Sequence, residues 1–281
     1  MSIARLMQVA AAGNIPSGPV WTDPDLANAS YDSVSFSVSG QDSTPLGLNF
    51  NSDGTKAYIV GVSTDSIYEY TLGTAWDLST ASYNSVSFSL ASQDTTPQSV
   101  AFNSDGTKMY VVGSDTDIIY QYSLSTGFDI STASYDSVSF DISSQATSPL
   151  DFCFSSDGTK LHVLDFNSDA VYKYSLSTGF DISSASYDSV SFGVTSQENS
   201  PTALRFNPDG NKMYVFGFNN DTVYQYSLSS AWDVSSATYD SVSFSVSSQV
   251  SNPRGLSFKS DGSKMFVVGA SADTIYQYST A

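Results

Sequence analysis

Hydrophobic and polar positions alternate in short runs along this chain, and the runs recur. Between residues 98 and 124 there are three: QSVAFN (98–103), KMYVVG (108–113) and IIYQYSL (118–124). β-Branched and aromatic residues fill the second, and the third sets Ile119 and Gln121 against Tyr120 and Tyr122 at period two. The polar tetrads SDGT and SDTD separate them, where Asp and Gly supply turn geometry at little steric cost. A longer loop, STGFDISTAS, leads to a fourth run, YDSVSFDI (135–142), with Val138 and Phe140 two apart. The pattern predicts four consecutive antiparallel strands.

The same four runs return along the chain. Tyr31, Tyr83, Tyr135, Tyr187 and Tyr239 open near-identical phrases 52 residues apart, with no insertion or deletion between copies. NSDGTK at Asn51 returns as NSDGTK, SSDGTK, NPDGNK and KSDGSK. Four-stranded units at a fixed period are the signature of propeller blades. The chain ends make the stronger argument. The first full strand, Tyr31–Val38, is of the fourth type with no first three before it, and the last repeat stops after a third-type strand. The expected fold is therefore all-β: a closed five-bladed β-propeller over residues 21–281, with Tyr31–Val38 completing the blade begun at Arg254. That join would also cover a raw sheet edge.

Residues 1–20 read as a separate docking segment: a short N-terminal helix and a linker. Ser2 can cap a helix on which Ile3, Leu6, Met7 and Ala10 share one face, Gly13 can stop it, and Asn14–Pro19 follows as linker. A helix of about ten residues is marginal alone in water, so its apolar face needs a partner surface. The competing reading is a secretory signal with Ala10-Ala11-Ala12 as its cleavage site, but Arg5 and Gln8 interrupt its apolar core.

GLNFNSDGTKAYIVG (47–61) and SVAFNSDGTKMYVVG (99–113) resemble the inner half-blade of YVTN- and WD40-like propellers. The resemblance spans residues 31–281 and implies architecture; the Gly-His and Trp-Asp pairs of WD40 repeats are not at their usual places. The leader MSIARLMQVAAAG, followed by Ser/Asp/Tyr-rich repeats, is similar to structural proteins of marine bacteriophages. That resemblance implies a virion component, tail- or capsid-associated, with an N-terminal dock, a distal propeller, and a role in assembly or host attachment.

Composition narrows the chemistry. The net charge of −18 comes from 26 Asp and two Glu against ten Lys and Arg, which repels nucleic acid and anionic lipid. No apolar run approaches the 18 residues of a membrane-spanning helix, so no membrane insertion is expected. Cys153 and His162 are the only residues of their kinds, so neither an intrachain disulfide nor a Cys/His zinc site can form, and no cofactor or metal is expected. Nineteen of the Asp fall at positions the repeat explains as turns and caps bonding nearby backbone N–H groups, with Asn84 the exception at the start of a fourth strand. Calcium stays open, although no segment has the acidic ladder of an EF-hand.

The first strand of each blade should line the channel. Its successive positions read Leu46/Gln98/Leu150/Thr202/Arg254, then Gly47/Ser99/Asp151/Ala203/Gly255, and two further on Asn49/Ala101/Cys153/Arg205/Ser257. Such variation in a uniform repeat marks Leu46, Gln98, Asp151, Thr202, Arg205 and Arg254 as a candidate binding mouth, unless it is relaxed packing around a solvated channel. Trp76, Phe128, Phe180 and Trp232 are candidates to stack on sugars, or else anchors of the loop that carries them. A glycoside hydrolase would need a convergent pair among Asp151, Asp165 and Glu198, of which only Asp151 lies on an inner strand. His162 stands where Tyr or Phe recurs and reads as a packed residue rather than a base. The expected function is thus non-enzymatic: a virion structural or adhesion protein, docked to other virion proteins and meeting a host receptor or glycan. The alternatives are a secreted or surface lectin-like propeller and a glycosidase.

Overall fold

The structure, a computed structural model, describes residues 21–280. The predicted docking residues Ile3, Leu6, Met7 and Ala10 lie outside this range. Twenty strands form five four-stranded antiparallel sheets. Blade 1 is β2 (Pro45–Phe50), β3 (Lys56–Gly61), β4 (Ser66–Leu72) and β5 (Ala81–Ser89). Blade 2 repeats it as β6–β9 (residues 97–141), blade 3 as β10–β13 (149–193) and blade 4 as β14–β17 (201–245). Blade 5 takes β18 (Pro253–Phe258), β19 (Lys264–Gly269) and β20 (Thr274–Ser279) from the C-terminus and β1 (Ser30–Ser37) from the N-terminus, in the order β1-β20-β19-β18.

The closing join uses the register of the other blades. Tyr31 faces Tyr278 and Phe36 faces Ile275, as Tyr135 faces Tyr122 and Phe140 faces Ile119 within blade 2. Each fourth strand is bulged, and a serine (Ser33, Ser85, Ser137, Ser189 or Ser241) takes the left-handed seat at φ 58–65°. The join reaches beyond the strand: Leu26 and Val38 on its two sides are fully buried, and Asp25 N–H donates to Thr280 O at 2.7 Å.

Two sequence expectations need correcting. The long loop before each fourth strand contains a 3-10 turn, such as Ile130–Thr132, whose N-cap Asp129 accepts from Ser131 N. And the Asp at the start of the fourth strand is not a backbone cap. Asp32 instead accepts from Lys264 Nζ (2.8 Å), Gln277 Nε2 (2.8 Å) and Ser279 Oγ (2.6 Å), which together hold its carboxyl below the usual range against the opposing effect of burial. Asn84 explains itself by the same geometry. In blade 1 the carboxylate sits on the facing residue, Glu69, which accepts from Asn84 Nδ2 and pairs with Lys56 Nζ, each at 2.7 Å. In blade 2 the amide is on Gln121 and the acid on Asp136.

The blades interlock through their second strands. Tyr58 Oη donates to Phe128 O at 2.6 Å, and Tyr110 Oη donates to Phe180 O in the same way. In blade 3 His162 makes the equivalent contact, with Nε2 3.1 Å from Trp232 O. Its ring is fully buried between Phe206 and Trp232, so it is packed as the sequence suggested. Burial pushes its pKa down to about 4. A histidine lowered in the folded state stabilises the fold above its unfolded pKa, and that stability is lost as pH falls toward the folded value. Acidification from pH 6.5 to 4 should therefore cost roughly 3 kcal/mol through this residue. His162→Tyr restores the tyrosine of Tyr58 and Tyr110. Melting curves at pH 7 and 4.5 should show a smaller acid loss in the variant, and parallel losses would refute the assignment.

Candidate functional site

The six candidate mouth residues do come together, and they come together around a plug. Leu46, Gln98, Asp151, Thr202, Arg205 and Arg254 line one narrow void of about 10 Å³, which has room for about one water. Gly47 and Gly255 let the inner strands close this tightly. A Cβ on Gly47 would lie 2.8 Å from Gln98 O, and one on Gly255 2.7 Å from Leu46 O. Asp151 is buried on the blade 3 wall. It accepts from Ser99 Oγ at 2.6 Å, Leu204 N at 2.8 Å and Arg205 Nη1 at 2.6 Å. Arg205 in turn donates through Nη1 to Leu204 O (2.6 Å) and through Nη2 to Leu48 O (3.0 Å). One guanidinium thus ties blades 3, 4 and 1 together on the ring axis. The solvated channel, the alternative to a binding mouth, narrows here to that single small void.

The three carboxylates weighed for a glycosidase have other work. Asp42 accepts from Thr44 N and Thr64 Oγ1 and packs over Gly61, where a Cβ would come within 2.3 Å of it. Asp94 repeats this over Gly113, accepting from Thr96 N, Thr116 N and Thr116 Oγ1. In blade 3 the loop residue is Ala146 and the strand residue is Asp165. The carboxylate fills the same place from the opposite side, accepting from Ser148 N at 2.7 Å and from Ser168 N and Oγ at 2.9 and 2.7 Å. Glu198 fills it in blade 4 over Gly217, accepting from Ser200 N and Asn219 N. Burial raises its pKa. Asp165 and Glu198 are therefore turn-binding groups of separate blades, and neither is among the residues lining the plugged mouth. Blade 5 alone has no acid here, with Val250 over Gly269. Among the described residues no group of three His, Cys, Asp or Glu could hold a metal ion.

The other end of the axis opens into a bowl of about 410 Å³. Its floor is Arg205 with Asn49, Ala101, Cys153 and Ser257, and its wall is Phe50, Phe102, Phe154, Phe206 and Phe258, one from the end of each first strand. Phe128, Phe180, Trp232 and Trp21 form the upper wall. Three of these are among the sugar-stacking candidates; the fourth candidate, Trp76, is buried against Phe50 and Phe266. The loop aromatics are held at cost. Trp76, Phe128, Phe180 and Trp232 have φ of 60–62°, a seat that bulky side chains avoid. Each lies flat on the turn glycine of its blade, where a Cβ would collide with the ring: Gly54, Gly106, Gly158 and Gly210. In blade 5 the N-terminal chain covers Gly262 instead, with Thr22 N donating to Asp261 O at 3.0 Å and Trp21 edge-on to Phe258. Burial drives the Cys153 thiol upward, so it stays protonated on the floor.

The Phe ring is the feature that sequence reasoning passed over. The signal was there: Phe50, Phe102, Phe154, Phe206 and Phe258 recur every 52 residues. Such a stripe reads as core, and in the folded ring Phe50 is indeed buried, whereas Phe102, Phe154, Phe206 and Phe258 are only partly buried at this end.

No protein-family model matches the chain. No curated protein matches it either. Solved structures do. A protein from Lactobacillus plantarum aligns at TM-score 0.54 and 15% identity, over 84% of this chain and 67% of its own. A functionally unknown protein from Desulfotomaculum acetoxidans aligns at TM-score 0.52 and 11% identity, over 80% and 79%. A putative 6-phosphogluconolactonase from Bacteroides uniformis aligns at TM-score 0.51 and 14% identity, over 83% of this chain and 65% of its own, just under two thirds of its length. At these identities the likeness is one of fold alone, and the chain is itself an all-β five-bladed propeller.

Proposed function

We propose that this protein is a non-enzymatic binding module whose aromatic bowl holds an uncharged saccharide, and that it serves adhesion on a virion or cell surface. The observation that carries the reading is the bowl itself: about 410 Å³ walled by Phe, Trp, Asn and Ser on a rigid ring. Aromatic faces stack on the C–H faces of sugar rings, and the side-chain hydroxyls of Ser52, Ser104 and Ser156 in the lining can meet their hydroxyl groups. The one cation on the floor, Arg205, is already neutralised by Asp151. The rim carries Asp53, Asp105, Asp157, Asp209 and Asp261 on the adjoining turns. A phosphorylated sugar lactone is anionic and finds no unpaired cation there, since Arg205 is held by Asp151 and Lys259 by Asp261, so the name of the putative lactonase is not carried over. The virion placement rests on the sequence reading of the leader, residues 1–20, as a docking segment resembling those of phage structural proteins.

The test is a glycan array followed by titration of tryptophan fluorescence, since Trp21 and Trp232 line the bowl. Trp232→Phe is structurally mild, because Phe128 and Phe180 hold the same seat. It should weaken binding of a neutral glycan several-fold, about 0.5–1.5 kcal/mol for one stacking face. A glycan that binds equally well to the variant, or an array with no neutral binder, would refute the bowl as the site.

A further inference from the structure

The plugged end of the ring carries a second, differently charged feature. Of the two described arginines, Arg205 is paired with Asp151, whereas Arg254 is in none of the ion pairs among the described residues. Its Nε is buried without an acceptor, and burial alone lowers its pKa. Its guanidinium reaches back across the blade 4/5 seam and lies over Phe218, 5.6 Å from the ring centroid. Phe218 is 44% exposed and is the one exposed large hydrophobic side chain among the described residues.

The repeat shows that this pairing is made once. The repeat positions equivalent to Arg254 and Phe218 hold Gln98 and Val62, Leu150 and Ser114, Thr202 and Phe166, and Leu46 and Ala270, none of which repeats a cation over an aromatic, and Gln98 bonds Ser114 Oγ of its own blade instead. The same blade has also lost the buried acid of its four neighbours, since Val250 stands where Asp42, Asp94 and Glu198 stand. Blade 5 has thus lost its acid on the Arg254 side of the seam, while on the Phe218 side the buried Glu198 is held by Ser200 N and Asn219 N, and Arg254 stands as an unpaired cation beside an exposed aromatic.

We propose that Arg254 and Phe218 form a subsite for a carboxylate-bearing sugar. The carboxylate takes the free edge of the guanidinium in a charge-assisted, two-point hydrogen bond, and the sugar ring lies on Phe218. A peptide anchored by a side chain is disfavoured, because the mouth beside Arg254 has only about 10 Å³ to receive one. A sugar ring packing one C–H face on an exposed aromatic needs no pocket. Repulsion from the acidic surface at large is screened beyond about 8 Å at physiological salt. The subsite goes beyond the bowl reading and does not depend on it.

The probe is trigalacturonate, compared with its methyl ester, which keeps the rings and loses the charge. Binding is followed by calorimetry on the full chain. The acid should bind and the ester should bind at least tenfold more weakly. Arg254→Gln should weaken the acid at least tenfold, and Phe218→Ser, the residue at the equivalent Ser114, should weaken it several-fold. Unchanged melting of both variants verifies the fold. Trp232→Phe should leave this binding untouched. Equal binding of acid and ester, indifference to Arg254→Gln, absence of acid binding, or loss with Trp232→Phe would each overturn the subsite. Indifference to Arg254→Gln and absence of acid binding leave neutral-glycan binding in the bowl untouched, so the two sites fail separately.

Discussion

Replacing Arg205 with serine is expected to destabilise the propeller by about 3–5 kcal/mol, the cost of leaving a buried charge without its partner. Asp151 is 2% exposed, and its carboxylate would keep only Ser99 Oγ and backbone N–H donors. The same change removes the guanidinium bonds to Leu204 O and Leu48 O that span the axis. Serine is the informative choice, because Ser257 holds the equivalent position in blade 5 and Ser99 is the equivalent of Asp151 in blade 2. The double variant Asp151→Ser/Arg205→Ser should therefore recover more than half of the loss, read from urea unfolding in a double-mutant cycle. A single-variant cost below about 1 kcal/mol, typical of surface pairs, would mean the plug does not hold the ring.

The second large effect concerns closure. Deleting residues 1–38 removes β1, the fully buried Leu26 and Val38, and the carboxylate of Asp32 that receives Lys264, Gln277 and Ser279. Burying a large apolar side chain is worth about 2–5 kcal/mol, so losing two of them with a full ladder of strand bonds exceeds the total stability of most domains. The truncated chain should fail to fold as a monomer, and its bare β20 edge should drive association. Truncation alone does not isolate closure, so a permutant is the companion test. Moving residues 22–38 behind Ala281 through a short Gly-Ser linker makes blade 5 a contiguous hairpin series. The backbone bond from Asp25 N to Thr280 O places the two ends side by side. This permutant should be monomeric with near-native melting on gel filtration and circular dichroism. If the truncation is equally stable, or the permutant unfolds, the strand exchange is not what shuts the ring.

Some of this architecture is written in one dimension. The 52-residue period, the count of five and the offset of Tyr31–Val38 require only that identical phrases adopt identical structures, and strand identity follows from alternation and turn chemistry. His162 was legible for the same reason, because a histidine in a tyrosine's place inherits its packing and its hydrogen bond. The inner-strand residues at the mouth were legible as a set, since strand direction puts them on the axis.

What those residues do there was not legible, because it depends on distances between blades. Asp151 and Arg205 are 54 positions apart, and nothing in the repeat says that their side chains meet. Asp165 and Glu198 look like divergent acids in the linear text. Folding shows Asp165 taking the place of the acid that Ala146 lacks, as Glu69 takes the place of the acid that Asn84 lacks. The aromatic bowl has the same origin. A periodic Phe is apolar in sequence whether it is packed, as Phe50 is, or partly open, as Phe102, Phe154, Phe206 and Phe258 are, and the assembly of five blades around an axis decides which. Local pattern sets the element and its copy number. Which polar groups find one another, and which apolar rings stay open to a ligand, is decided only when the circle closes and brings neighbours of distant sequence within about 3 Å.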